Sequence, residues 1–342
     1  MSPQSYDIPD GAEGNVVETR KPDNTAFKQQ RLPAWQPILT PRSVLPTFFI
    51  VGIIFIPLGA VLLTVSNNVL EYSSDYTQCQ SATGDQCSNL RLNASRTNEP
   101  CVCTVNVTVE KNMQNPVYVY YGLSNFFQNH RRYVKSRDDN QLVGNHVTNT
   151  SISKDCAPYK VDKVNGSEWP IAPCGAIANS LFNDTFILTG MNIDRTGIAW
   201  YTDHSVKFNN PHPANNLVEA FKSYAKPKFW QESVDKLDPG DNANNGYKNE
   251  ALEVWMRTAA FPTFRKLYGK INVSLPPDNY SFIVNYNYPV TAFEGSKRLI
   301  ISTTSFMGGK NPFLGIAYIV VGSASLLVGI GLCIIHFATR NK

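Results

Sequence analysis

The stretch VLPTFFIVGIIFIPLGAVLLTV, Val44 to Val65, contains no charged residue, and FLGIAYIVVGSASLLVGIGLCIIHF, Phe313 to Phe337, carries nothing more polar than serine apart from His336 and Tyr318. A helix of about 20 apolar residues crosses a bilayer, so each run is long enough to span one. Lys28, Arg31 and Arg42 closely precede the first run, and no Lys or Arg follows it until Arg91. The excess of cations on the N-terminal side is expected to hold that end in the cytosol. The run starts too late, and is too long, for a cleaved signal peptide, so it is read as an uncleaved anchor. The second run then returns the chain, placing Arg340 and Lys342 in the cytosol. The expected layout is a cytosolic segment 1–43, a first span 44–65, an exposed domain 66–312 outside the cytosol, a second span 313–337 and a short cytosolic tail 338–342.

Two other features of the sequence are consistent with this layout. Of 7 cysteines, all but Cys333 lie between the spans: Cys79, Cys87, Cys101, Cys103, Cys156 and Cys174. An even set suits an oxidising, lumenal or extracellular space. The Asn-x-Ser/Thr acceptors Asn93, Asn106, Asn149, Asn165, Asn183, Asn272 and Asn279 lie in the same region, with none in the cytosolic ends. Cys101 and Cys103 are two apart in a strand-like run, so they share a face and are poorly placed to bond each other. An antiparallel return of the upstream segment nests Cys79 with Cys103 and Cys87 with Cys101, leaving Cys156 for Cys174. Zinc is the competing reading; it lacks a Cys-x-x-Cys spacing and is disfavoured in an oxidising compartment.

Within the exposed domain CTVNVTVEK (103–111) alternates, with Val105, Val107 and Val109 on one face. PVYVYYGL, YSFIVNYNY and KRLIISTTSF are β-branched and aromatic, while NEALEVWMRTAA is expected to be a helix ended by Pro262. The fold class that follows is a membrane protein with two transmembrane α-helices and a large, mainly antiparallel β domain carrying helical insertions. Before the first span, residues 1–19 are polar and without periodicity, and RKPDNTAFKQQRLPAWQPILTPRS is interrupted by prolines that prevent one continuous helix.

Chemistry is harder to find. The 5 histidines are scattered without metal-ligand spacing. MGGKN (307–311) lacks the residues of a phosphate loop, and DNANNGYKNEAL (241–252) places Ala243 and Leu252 where a calcium loop needs ligands, so an Asx-rich turn is expected there. The net charge of +4 is thinly spread and points to no nucleic-acid partner. No motif assigns a catalytic residue, a metal or a cofactor. Two features remain. Gly52 and Gly59, and Gly315, Gly322 and Gly329, repeat every seventh residue within the spans, which lines each set along one helix face open to close approach by another helix. NHRRYVKSRDD (129–139) gathers His130, Arg131, Arg132 and Arg137 beside Asp138 and Asp139. These cations are expected either to pair within the domain or to meet carboxylates of a partner.

Several long blocks in order, RKPDNTAFKQQRLPAWQP, VYVYYGLSNFFQNHRRYVKSRDD, PIAPCGAIANSLFNDT, WMRTAAFPTFRKLYG and MGGKNPFLGIAY, resemble the accessory β-subunits of phospholipid flippases. This is the family named for cell division control protein fifty and the ligand-effect modulator. The resemblance implies a non-catalytic subunit that pairs with a type IV P-type ATPase. It implies a role in that enzyme's assembly, its exit from the endoplasmic reticulum and its transfer of aminophospholipids to the cytosolic leaflet. It also implies an integral membrane protein of the secretory pathway and plasma membrane, in contact with lipid, carrying N-linked glycans and no other cofactor. The same nested disulfides fit the family, and Asn106 and Asn183 sit in its glycosylation motifs; Asn279 lies a few residues before the family's usual acceptor. Asn24, Phe27, Arg31 and Trp35 form a second candidate contact, on the cytosolic side of the ATPase. The alternative of another class is a subunit of a self-assembling two-span ligand-gated channel, which would share the topology.

Overall fold

The structure is a computed structural model that describes residues 23–33, 40–93, 95–96, 99–164 and 166–340. The expected disorder of residues 1–19, Trp35, Asn165 and the last two residues of the tail lie outside the described residues. The chain divides into two units: Met1–Ile54 with Gly322–Lys342, and Phe55–Val321. Both apolar runs are helical. The first helix covers Pro41–Asn67 and the last covers Phe313–Arg340, each a few residues longer than its uncharged core. Both are long and apolar enough to cross a membrane.

In the larger unit two antiparallel sheets face each other. One has four strands in the order β1 (Glu71–Asp75), β9 (Lys297–Ser302), β3 (Val117–Leu123) and β7 (Phe264–Ile271). The other has β2 (Val102–Val109), β8 (Asp278–Asn285) and β6 (Thr185–Leu188), and β4 (Val161–Val164) pairs separately with β5 (Ser167–Pro170). Every second residue of β2 is buried, so Val105, Val107 and Val109 point into the core as their alternation predicts. Each such side chain contributes about 1.5–3 kcal/mol by leaving water. Aromatic rings close the space between the sheets. Phe186 of β6 meets Tyr268 of β7 edge to face with centroids 4.8 Å apart, and Tyr121 of β3 stacks on Phe182 at 3.8 Å.

Strand β7, FRKLYGKI, is a strand that sequence reading missed. Its cations and glycine dilute the β signal, and a bulge opposite Val119 and Tyr120 breaks its alternation. The helix expected to run to Pro262 instead covers Glu250–Met256, with Arg257 already extended. Lys266 explains the early stop. Its buried amine donates to the last carbonyls of the helix, Val254 at 2.8 Å and Trp255 at 3.1 Å, and to that of Arg257. Burial, with the nearby charge of Arg257, lowers the Lys266 amine to about 7.

Lys297 and Asp184 form an ion pair of 2.7 Å with both side chains fully buried. The Asp184 carboxylate also accepts from the Tyr76 hydroxyl at 3.0 Å and from the backbone N–H groups of Asn287 and Tyr288 at 2.6 and 2.7 Å. The Lys297 amine donates to the Tyr288 carbonyl at 2.8 Å and sits over the Tyr286 ring at 3.0 Å. Burial lowers that amine to about 8, against the pull of Asp184. The pair ties β9 to the turn before β6 and to the segment after β8.

Three disulfides join Cys79 to Cys103, Cys87 to Cys101 and Cys156 to Cys174. The first two are nested because the chain returns antiparallel: the Cys87 N–H donates to the Cys79 carbonyl at 3.0 Å, and Ser81 bridges Cys103. Cys79, Cys87 and Cys103 lie close enough together for a metal site, and their disulfides consume the thiolates such a site needs.

Candidate partner-binding surfaces

The cationic stretch after β3 folds as two short helices locked to the domain by its uncharged and acidic members. Helix Arg131–Lys135 turns Tyr133 inward, where its hydroxyl lies 2.8 Å from Ser180 Oγ and its ring packs on Phe126; burial pushes that phenol up to about 12. The Ser136 hydroxyl accepts from the Ala176 N–H at 2.9 Å. Beneath it Gly175 has φ of 99°, and a Cβ there would lie 2.0 Å from the Ser136 carbonyl oxygen. This one glycine lets PCGAIANS seat against the cationic stretch. Asp138 is buried and accepts from the N–H groups of Gln141 at 3.1 Å and Ser153 at 2.7 Å, capping helix Asp139–Leu142. It is therefore committed to backbone and not to a neighbouring arginine.

Only Arg137 pairs within the cluster, to Asp139 at 2.9 Å. His130, Arg131 and Arg132 are exposed and make no ion pair among the described residues. Packing has split the stretch into a structural face and a cationic outward face.

Arg137 opens onto a small cleft of about 180 Å³ that the sequence did not reveal. Its far wall carries Asp203, Lys207 and Arg257, with Lys207 2.6 Å and Arg257 3.0 Å from the Asp203 carboxylate. The Arg257 guanidinium stacks on Trp200 at 4.2 Å. The loop bearing Trp200 is held from below by two acids of helix Glu250–Met256. Glu250 accepts the successive N–H groups of Gly197, Ile198 and Ala199 at 2.7, 2.6 and 2.8 Å. Glu253 lies 2.9 Å from His204 Nδ1. Burial, reinforced by the charge of Glu250, pushes the Glu253 carboxyl up to about 9, so it holds its proton at neutral pH. The result is a hydrogen-bonded platform on which Trp200 and Tyr201 stand exposed, Tyr201 at 83 %. Loop residues this far apart in the sequence gave no local pattern to read.

The second candidate contact lies in the smaller unit. Residues 25–31 form a turn in which the Gln29 N–H donates to the Thr25 carbonyl at 2.9 Å and the Arg31 N–H to that of Ala26 at 2.7 Å. Lys28 pairs with Asp23 and Arg31 with the Asn24 side chain, leaving the Phe27 ring 77 % exposed.

The heptad glycines are where the two long helices approach. In the smaller unit Gly52 faces Leu326 and the Gly322 carbonyl, and Gly329 lies against Phe48. In the larger unit a Cβ on Gly59 would lie 2.8 Å from the Gly315 carbonyl oxygen, and one on Gly315 would lie 2.7 Å from the Leu63 nitrogen. All five glycines are buried in helices that are otherwise largely exposed. Ser66 continues the row one heptad beyond Gly59, and its hydroxyl accepts from the Asn311 N–H at 2.9 Å.

The sequence matches a known group of proteins. Residues 62–342 match the model of the LEM3 (ligand-effect modulator 3) family / CDC50 family. The chain belongs to that family. This CDC50-family chain is 50 % identical to Cell cycle control protein 50A of Mus musculus, over 98 % of its own length and 94 % of the relative's. It is 47 % identical to Cell cycle control protein 50B of Homo sapiens, over 94 % and 95 % respectively. It is also 43 % identical to ALA-interacting subunit 3 of Arabidopsis thaliana, over 95 % and 88 %.

The asparagines of the Asn-x-Ser/Thr motifs in this CDC50-family chain differ in accessibility. Asn93, Asn106, Asn183, Asn272 and Asn279 are exposed. Asn149 is half-buried with its amide donating to the Glu168 carbonyl, and the Asn272 amide lies 3.2 Å from Asp194. The Asx-rich reading of residues 241–252 fits the structure: Asp241 accepts from the Ala243 N–H at 2.9 Å and Asn249 from the Leu252 N–H at 3.1 Å, each capping a short helix.

Proposed function

We propose that this chain is the non-catalytic β-subunit of a type IV P-type ATPase that moves aminophospholipids to the cytosolic leaflet. In this reading it assembles one-to-one with the ATPase, carries it out of the endoplasmic reticulum and supports its turnover. The observation that carries the reading is near full-length similarity to a family that includes a protein named as an interacting subunit. The folded chain supports it in three ways. Its two long helices approach through glycine, a geometry that suits packing of helix on helix. Of the acids in the cationic stretch, Asp138 is spent on backbone N–H groups and Asp139 on Arg137, which leaves Arg131 and Arg132 outward for a partner's carboxylates. Its Phe27 turn and its Trp200 platform present aromatic groups of the kind that anchor interfaces.

The reading places both ends in the cytosol and residues 66–312 in a lumenal or extracellular space. It assigns the complex to the secretory pathway and plasma membrane, with N-linked glycans on the exposed acceptors. The test is purification of the tagged chain in gentle detergent, with identification and stoichiometry of what co-purifies. A P-type ATPase near one-to-one, whose ATP hydrolysis responds to aminophospholipid, is the expected result. A self-assembled trimer without an ATPase would overturn it in favour of a channel.

A further inference from the structure

A cleft of about 570 Å³ lies against Asn183. That volume is in the range of sites that hold small organic ligands. Arg91, Lys226 and Lys228 line the cleft, and no carboxylate is among its lining residues. One wall is fixed: the Trp230 indole N–H donates to the Ala178 carbonyl at 2.7 Å, and the Lys226 amine donates to the Gln231 carbonyl at 2.6 Å. On that wall the Phe229 ring is left 64 % exposed. The opposite side holds Asn183 by its backbone. Asn287 donates to the Asn183 carbonyl at 3.1 Å and itself accepts from Arg91 at 3.2 Å. The Asn183 side-chain amide makes no hydrogen bond among the described residues, unlike those of Asn149 and Asn272.

We infer that this cleft is a cradle for the first sugars of an N-linked glycan carried by Asn183 itself. The inference rests on the reading of Asn183 as a glycan acceptor. A pyranose ring has one apolar face, which suits an exposed aromatic ring, and a rim of oxygens that accept hydrogen bonds, which suits a cleft walled by amines, amides and a guanidinium. Covalent attachment holds the sugar near the cleft at an effective concentration in the millimolar range, so contacts too weak to capture a free sugar are enough to seat a tethered one. Asn106 is the internal contrast. It stands on the outward face of β2 with its side chain 2.8 Å from Ser281 Oγ, and a glycan there projects from a sheet surface.

The test uses the full-length chain, glycosylated in cells and purified in gentle detergent. Occupancy at each acceptor is mapped first, and peptide-N-glycosidase release is then timed site by site by mass spectrometry on the folded protein. Release tracks the open population when closing is fast, so the Asn183 glycan is expected to leave about five- to tenfold more slowly than the Asn106 glycan. Phe229→Ala, at an exposed position, is expected to abolish that difference without moving the melting temperature, and Lys228→Ala to reduce it. Equal release rates in the parent chain, or protection that survives both substitutions, would overturn the cradle while leaving the acceptor reading intact. An unoccupied Asn183 would overturn the acceptor reading and the cradle with it.

Discussion

Lys297–Asp184 and Arg137–Asp139 are ion pairs of nearly equal length, 2.7 and 2.9 Å, in opposite settings. The first has no exposed side-chain surface and satisfies its remaining lone pairs and protons with backbone and a tyrosine. The second opens to water, which screens it and competes for both partners. Length alone would rank them together. What separates them is what each group would meet if its partner vanished: an apolar core in one case, solvent in the other. The same contrast divides the molecule, since buried charges hold the sheets in place and outward charges, paired or not, remain in reach of water and of another surface.

The largest test of this contrast is Asp184→Ala. It strands the Lys297 amine in the core and is expected to cost about 3–5 kcal/mol, read from chemical denaturation of the domain. A loss below about 1 kcal/mol would show that the pair is no different from a surface one. Next in size, Cys156→Ser with Cys174→Ser opens a loop with a sequence separation of 18, for an expected loss of about 3 kcal/mol. A third variant, Gly59→Ile, forces a side chain onto the Gly315 backbone and is expected to cost about 1–3 kcal/mol of helix pairing. Cross-linking between cysteines placed on the two helices would report it, and unchanged cross-linking would count against close packing.

A smaller effect is expected in the pH dependence. The folded protein keeps the Glu253 proton up to about pH 9, whereas the unfolded chain releases it in the ordinary carboxylate range. Between those limits the native state binds the extra proton, so this group makes stability fall as pH rises. Glu253→Gln should flatten that part of the curve; an unchanged slope would assign it elsewhere. The smallest effect on folding is expected from Arg131→Glu or Arg132→Glu, within about 0.5 kcal/mol, because both cations face outward. Those variants should instead weaken co-purification of the ATPase. If folding and complex formation both survive the charge reversals, the outward face is not the partner's.

The sequence by itself determined the two apolar helices, the alternating strands β2, β3, β8 and β9, the nested cysteines and the glycine heptads. Each of these is a local or periodic property: a run of apolar residues, a two-residue or seven-residue repeat, or a spacing that one antiparallel return satisfies. Strand β7 escaped because its cations mask the pattern, and their purpose is tertiary: Lys266 caps a helix that precedes it. Likewise NHRRYVKSRDD looked like one charged cluster. Only the folded chain shows that Asp138 belongs to backbone amides, that Arg137 shares a cleft with Asp203 and Arg257, and that Arg131 and Arg132 face out. Side chains of opposite charge attract wherever they meet, so composition cannot say which of them do. That is decided by which residues the sheets and disulfides bring within a few ångströms of one another, and by which of them are shut away from water.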